Sequence, residues 1–203
     1  MKYKQLSIWI LLFTLYQSKV QAQVYVSHEI NPNPTIDSFS ICYGHSCDTI
    51  KQISLTKSQW SEVTSIFSPQ AKSAQAERAL IAKAIAKMED IVGIIAGTSH
   101  DLAFNYKGLF SDEHQMDCID ESTNSTNYLI MMQNQGLLKW HTVENTKTRG
   151  YLIFGWPHTT AVIKDTQQQD WAVDSWFYDN GIEPAILTIE KWQSGWEPEK
   201  KSQ

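Results

Sequence analysis

Cysteine is scarce in this chain: Cys42, Cys47 and Cys118 are the only three in 203 residues. No CxxC or HExxH pair occurs, so the spacings by which thiolates or imidazoles commonly hold zinc are missing. A set drawn from His114, Cys118 and His158 lacks such spacing too, and neither a metal nor another cofactor is expected. Basic charge is in short supply, with 17 Lys and Arg against 22 Asp and Glu and a formal net charge of −5. That balance makes nucleic acid and anionic membrane surfaces poor partners. Internal repeats are absent, and only one long apolar run is present, at the very start.

That run carries its own meaning. Lys2 and Lys4 precede an almost wholly apolar stretch from residue 6 to 16, and small residues follow, ending in Val20-Gln21-Ala22. A basic start, a short apolar run and a small-residue end describe a secretory signal peptide, cleaved after Ala22. The run falls short of the ~20 residues that span a bilayer, and no cysteine stands at the cleavage point for a lipid anchor. The leader carries Lys2, Lys4 and Lys19 and no acid, so cleavage takes the formal charge from −5 to −8. Residues 23–40, with two prolines and little periodicity, read as an extended arm. Residues 41–203 read as one domain, exported to the periplasm or the extracellular space and free of any membrane span.

Export changes what the cysteines mean. Close pairs in an oxidising compartment tend to become disulfides, and "CYGHSC" closes a short loop containing a glycine, so Cys42–Cys47 is the expected bridge. Cys118 is then left over, either as an intermolecular link or as a free, reactive thiol.

Along the domain, residues 48–55 read as a strand. Thr56 with Gln59 three residues on forms a capping box for a helix to about Phe67. Ser68-Pro69 reads as the start of a second helix, with proline in its first turn. Leu80, Ile81, Ile85, Met88, Val92 and Ile95 recur at helical spacing and mark a core-facing helix that ends at Gly97. After a polar loop (98–114), a third helix starts near Asp117, runs past Tyr128, Leu129 and Met132, and stops at Gly136. Strands are expected at 137–143, 150–155, 158–164 and 170–177, the last two as an antiparallel hairpin. The segment "ILTIEKWQSGWEP" is expected to cover one sheet edge. Helices first and strands afterwards indicate an α+β domain, its N-terminal helices packed on a C-terminal antiparallel sheet.

The third helix raises a chemical question. A helix N-terminus favours a thiolate, which suits Cys118 in the first turn. Asp117, Asp120 and Glu121 oppose a second negative charge there. Each such contribution is about 0.3–1 kcal/mol when exposed, so the local effects roughly cancel. An imidazolium would have to activate the sulfur. His158 can supply it. If Ile163 pairs with Trp171 or with Gln169, directly opposed residues have numbers summing to 334 or 332. Either register leaves His158 and Asp174 on one sheet face within two positions. A carboxylate on an otherwise apolar strand needs a partner, and His158 is the most available one.

Cysteine at a helix start, histidine on a following strand ("PHTTAVI") and aspartate on the next ("WAVDSWF"), in that order, resemble the core of transglutaminase-like and papain-like proteins. The likeness covers about residues 115–177 and extends to exported bacterial proteins of that type. It implies that core fold and thiol acyl chemistry on an amide bond through Cys118, His158 and Asp174. Export suggests a peptide or isopeptide bond of a cell-envelope substrate. Gln115, just upstream of Cys118, is the candidate oxyanion donor together with the Cys118 backbone N–H. His114 is the competing base. Against these stand plainer readings: Cys118 as a small buried hydrophobe, Gln115 as a surface loop residue, and the whole domain as an inactive exported binding module. Asn124 begins an Asn-Ser-Thr sequon but falls inside the expected helix, so it reads as chance.

Overall fold

The computed structural model describes residues 33–105, 114–150 and 157–199. The expected signal peptide, most of the arm and most of the expected strand at 150–155 lie outside the described residues. What is described forms an α+β arrangement of two antiparallel sheets and four helices. Strands β1 (Phe39–Tyr43) and β2 (Thr49–Ile53) make a hairpin whose connection is closed by the Cys42–Cys47 disulfide. Phe39 and Ser40, read above as the end of a loose arm, are buried in β1.

Helix α1 (Lys57–Ser65) begins at the expected capping box: the Gln59 N–H donates to the Thr56 hydroxyl, and the Gln59 side-chain oxygen accepts from the Thr56 N–H. Helix α2 (Ala74–Ala96) begins later than expected. Ser73, not Ser68, caps it by accepting the Ala76 N–H, and Ser68-Pro69 lies in the connection. Its far end is as expected. Gly97 takes φ +92°, a left-handed conformation open to glycine at little cost. The apolar stripe from Ile81 through Ile85 and Met88 to Val92 is buried.

Helix α3 (Cys118–Asn134) is the middle of the molecule, packed against α2, β1, β3 and β4. The four-stranded sheet runs in the order β3 (His141–Arg149), β4 (His158–Asp165), β5 (Asp170–Asp174), β6 (Ala185–Thr188). Strand β3 starts four residues later than the expected 137–143. The Lys139 and Trp140 N–H groups donate instead to the buried Glu77 carboxylate of α2, at 2.7 and 2.9 Å. As an edge strand with a bulge between Glu144 and Lys147, β3 tolerates the polar sequence that follows. The segment expected to cover a sheet edge supplies β6, then the short helix α4 (Ile189–Gln193). Among the described residues, no helix is long and apolar enough to cross a membrane.

Candidate active site

The β4–β5 ladder pairs Ile163 with Trp171, the register whose opposed residues sum to 334. It ends at Ala161 and Val173, which leaves His158 and Asp174 just past the last pair, on one face. There His158 Nε2 lies 2.7 Å from Asp174 Oδ2, and both residues are buried. The same oxygen accepts a hydrogen bond from Trp192 Nε1 at 2.6 Å. A carboxylate oxygen shared by two N–H groups accepts from both, so Nε2 is the donor and Nδ1 is the ring nitrogen left over. Nδ1 is buried and has no hydrogen-bond partner among the described residues. The rings of Trp176, Phe177 and Trp192 surround the imidazole, with centroids 4.7, 5.1 and 5.5 Å away.

Cys118 is the first residue of α3, and its thiol is free. Asp117 is the N-cap, accepting from the Ile119 and Asp120 N–H groups at 2.9 and 3.0 Å, so the Cys118 N–H is left outside that cap. The electrostatic surroundings of the sulfur include the backbone N–H of Thr159, the residue next to His158, and the carboxylate of Asp174. Burial pushes the thiol up to about 12. The Thr159 N–H pulls it down, while the charges of Asp117 and Asp174 push it up further. The resting sulfur is therefore protonated at neutral pH.

Gln115 is buried but turned to another task. Its Nε2 donates to the His100 carbonyl at 2.9 Å, and its Oε1 accepts from the Leu102 N–H at 3.1 Å and from Asn105 Nδ2 at 2.7 Å. It braces the loop that carries Phe104 against Trp176 and Phe177. His114 stacks on Tyr43 instead, 5.8 Å between ring centroids, and packs over Gly97. Asn124 is also occupied: its side chain binds both the N–H and the carbonyl of Cys42. Among the described residues, the one thiol, imidazole and carboxylate group close enough to share an ion is Cys42, Cys47 and Asp120. Its two sulfurs are joined to each other.

No family model matches the chain, and neither does any curated protein or solved structure. The site must be read from its own chemistry. Trp192 and Thr159 are the participants that sequence reasoning missed. Trp192 was one of several late tryptophans, and only the pairing of β6 with β5 brings α4 beneath Asp174. Thr159 contributes a backbone group, which leaves no mark in the side-chain pattern.

Taken together, His158 is held through Nε2 with Nδ1 buried and unbonded, and the backbone N–H groups of Thr159 and of Cys118 itself act on the Cys118 thiol. A thiol, an imidazole and a carboxylate are the residue types that thiol acyl chemistry uses; the ordered pair among them is His158 with Asp174.

Proposed function

We propose that this chain is an exported thiol hydrolase or acyltransferase of transglutaminase-like or papain-like type, acting on amide bonds through Cys118, His158 and Asp174. The observation that carries the reading is the shared Asp174 oxygen, bound by His158 Nε2 and Trp192 Nε1, which leaves His158 Nδ1 as a buried base. In the first half-reaction Nδ1 takes the Cys118 proton while sulfur bonds to the carbonyl carbon. The developing oxyanion is met by the Cys118 and Thr159 N–H groups. The tetrahedral adduct then expels the amine, which takes the proton from Nδ1, and an acyl thioester remains on Cys118. In the second half-reaction Nδ1 deprotonates water, giving hydrolysis, or an amine, giving acyl transfer. The new nucleophile displaces sulfur, and the proton returns to it. Asp174 holds the imidazole in the required tautomer throughout. A peptide or isopeptide bond of a protein in the cell envelope is the substrate class that export favours.

The test is acylation of the intact chain by p-nitrophenyl acetate, followed by nitrophenolate release and by mass analysis of the Cys118 peptide. We expect acetyl-Cys118, lost in Cys118→Ser and slowed about 100-fold in His158→Ala, within the usual range for a general base. Equal rates in the parent and His158→Ala would sink the reading. A second reading, an exported binding module without catalysis, is favoured by the high resting pKa of the thiol. On that reading no acyl-Cys118 forms.

A further inference from the structure

The β1–β2 connection does more than join two strands. Gly44, His45, Ser46 and Cys47 all have positive φ, at 83°, 71°, 55° and 58°. A run of this kind turns successive N–H groups towards one concave side, which suits an anion. Here the chain supplies the anions itself. His45 N–H donates to Asp120 Oδ2 at 2.8 Å, Ser46 N–H to Asp117 Oδ2 at 3.0 Å, and Cys47 N–H to Asp120 Oδ1 at 2.6 Å. Gly44 N–H reaches the Gln115 carbonyl at 2.9 Å. The loop thus holds residues on both sides of Cys118, and the disulfide closes the loop.

We infer that the oxidised Cys42–Cys47 loop is the positioning element for Cys118, so that the nucleophile's reactivity depends on the redox state of a disulfide elsewhere in the chain. This rests on the thiol reading above and adds a control to the same site. Two effects act together. The loop fixes the first turn of α3, and with it the sulfur beneath the Thr159 N–H. It also engages the carboxylate of Asp117, whose charge opposes a thiolate at Cys118, with the Ser46 N–H. Two residues before Gly44, the Cys42 N–H and carbonyl grip Asn124 of α3 at 2.8 Å each, so the same strand anchors the second turn. A dithiol reductant would open the loop by thiol–disulfide exchange. Its two thiols become a disulfide, and the Cys42–Cys47 bond becomes two thiols.

The experiment compares the full oxidised chain with Cys42→Ser/Cys47→Ser, first confirming by circular dichroism that the variant is folded. Two readouts are taken: acetylation of Cys118, and its alkylation by iodoacetamide as a function of pH. Displacing a nucleophile by about 1 Å can cost on the order of 100-fold, so we expect acetylation at least tenfold slower. The alkylation profile should shift to higher pH, which a loss of fold stability alone would not produce. A folded variant with unchanged rate and profile overturns the proposal. Hydrogen exchange at the 118–121 amides, with and without dithiothreitol at a concentration that leaves the circular dichroism unchanged, gives a readout independent of catalysis. Protection should fall on reduction, and unchanged protection overturns the proposal whether or not the double variant folds. If the parent chain is never acetylated, the triad reading fails, and hydrogen exchange still decides whether the loop holds the helix start.

Discussion

His158 Nε2 and Trp192 Nε1 meet the same oxygen of Asp174, at 2.7 and 2.6 Å. A buried carboxylate oxygen receiving two N–H groups is held in place and compensated for lost water. Trp192→Phe removes one donor and keeps most of the ring. It should cost about 1.5–3 kcal/mol of stability, as expected for a hydrogen bond to a charged group. Acetylation of Cys118 should slow as well, because Asp174 is freed to rotate. Urea unfolding and nitrophenolate release check the two effects; a variant unchanged in both would show that Trp192 only fills space.

Asp117 caps α3 beside a thiol that its charge disfavours. Asparagine is an equally good N-cap, so Asp117→Asn should keep the Ile119 and Asp120 N–H bonds and remove the charge, while giving up the Ser46 N–H contact to Oδ2. Alkylation of Cys118 near pH 8 should accelerate several-fold. In the parent chain, with the thiol pushed up to about 12, the alkylation rate should climb about tenfold per pH unit through pH 9. A rate flat from pH 6 upwards would instead reveal a preformed thiolate–imidazolium pair.

Behind the site, α2, the following loop and α3 bring Glu89, Asp101 and Glu121 together. Glu121 shares a hydrogen bond with Asp101, and Asp101 accepts the Met116 N–H at 2.6 Å. Glu89 accepts the Gly181 N–H at 3.0 Å, while Asp90, Asp179 and Tyr128 add no positive charge. Burial pushes Glu89 up to about 8 and Asp101 up to about 7, and pushes Glu121 well above the carboxylate range. These raised groups stabilise the fold fully below the unfolded values near 4, and that contribution is lost as pH rises through 7 and 8. Glu77 and Asp165 are shifted the other way, and their contribution fades below about pH 4. The urea midpoint should therefore peak near pH 5 and decline towards pH 8. Glu121→Gln keeps a donor for Asp101 without an ionisable group and should flatten part of that decline.

A second buried network ties α2 to the start of β3. Glu77 accepts from His141 Nδ1 at 2.9 Å, Arg78 donates to His141 Nε2 at 3.2 Å, and the Arg78 guanidinium lies 3.4 Å above the Trp171 ring. Glu77→Leu leaves the imidazole and the Lys139 and Trp140 N–H groups without their acceptor. Breaking a buried pair from one side costs about 3–5 kcal/mol, so a drop of that size in unfolding free energy is expected.

Local signals in the sequence located what local chemistry decides. The Thr56–Gln59 box, Asp117 before Cys118 and Gly97 after the α2 stripe were legible because capping acts within a few residues. Strand parity carried His158 to Asp174 because alternation in a sheet is strict. Long-range hydrogen bonding was not legible. The start of β3 depends on Glu77, 62 residues before Lys139, and the role of Trp192 depends on which strand β6 joins. The left-handed run at 44–47 carries one glycine, so three non-glycine residues adopt positive φ without announcing it in sequence.

The grip of α3 on β1 also bears on how the chain behaves in company. Among the described residues, strand β1 pairs with β2 along one side only. On its other side, the Ser40 carbonyl is taken by Asn127, the Cys42 N–H and carbonyl by Asn124, and the Gly44 N–H by the Gln115 carbonyl. An open strand edge is a template for pairing with another chain. Here helix amides occupy that template within the same molecule. The asparagines of α3 thus close this edge within the chain, and replacing them would leave those β1 backbone groups without their acceptor and donors as well as loosen the helix.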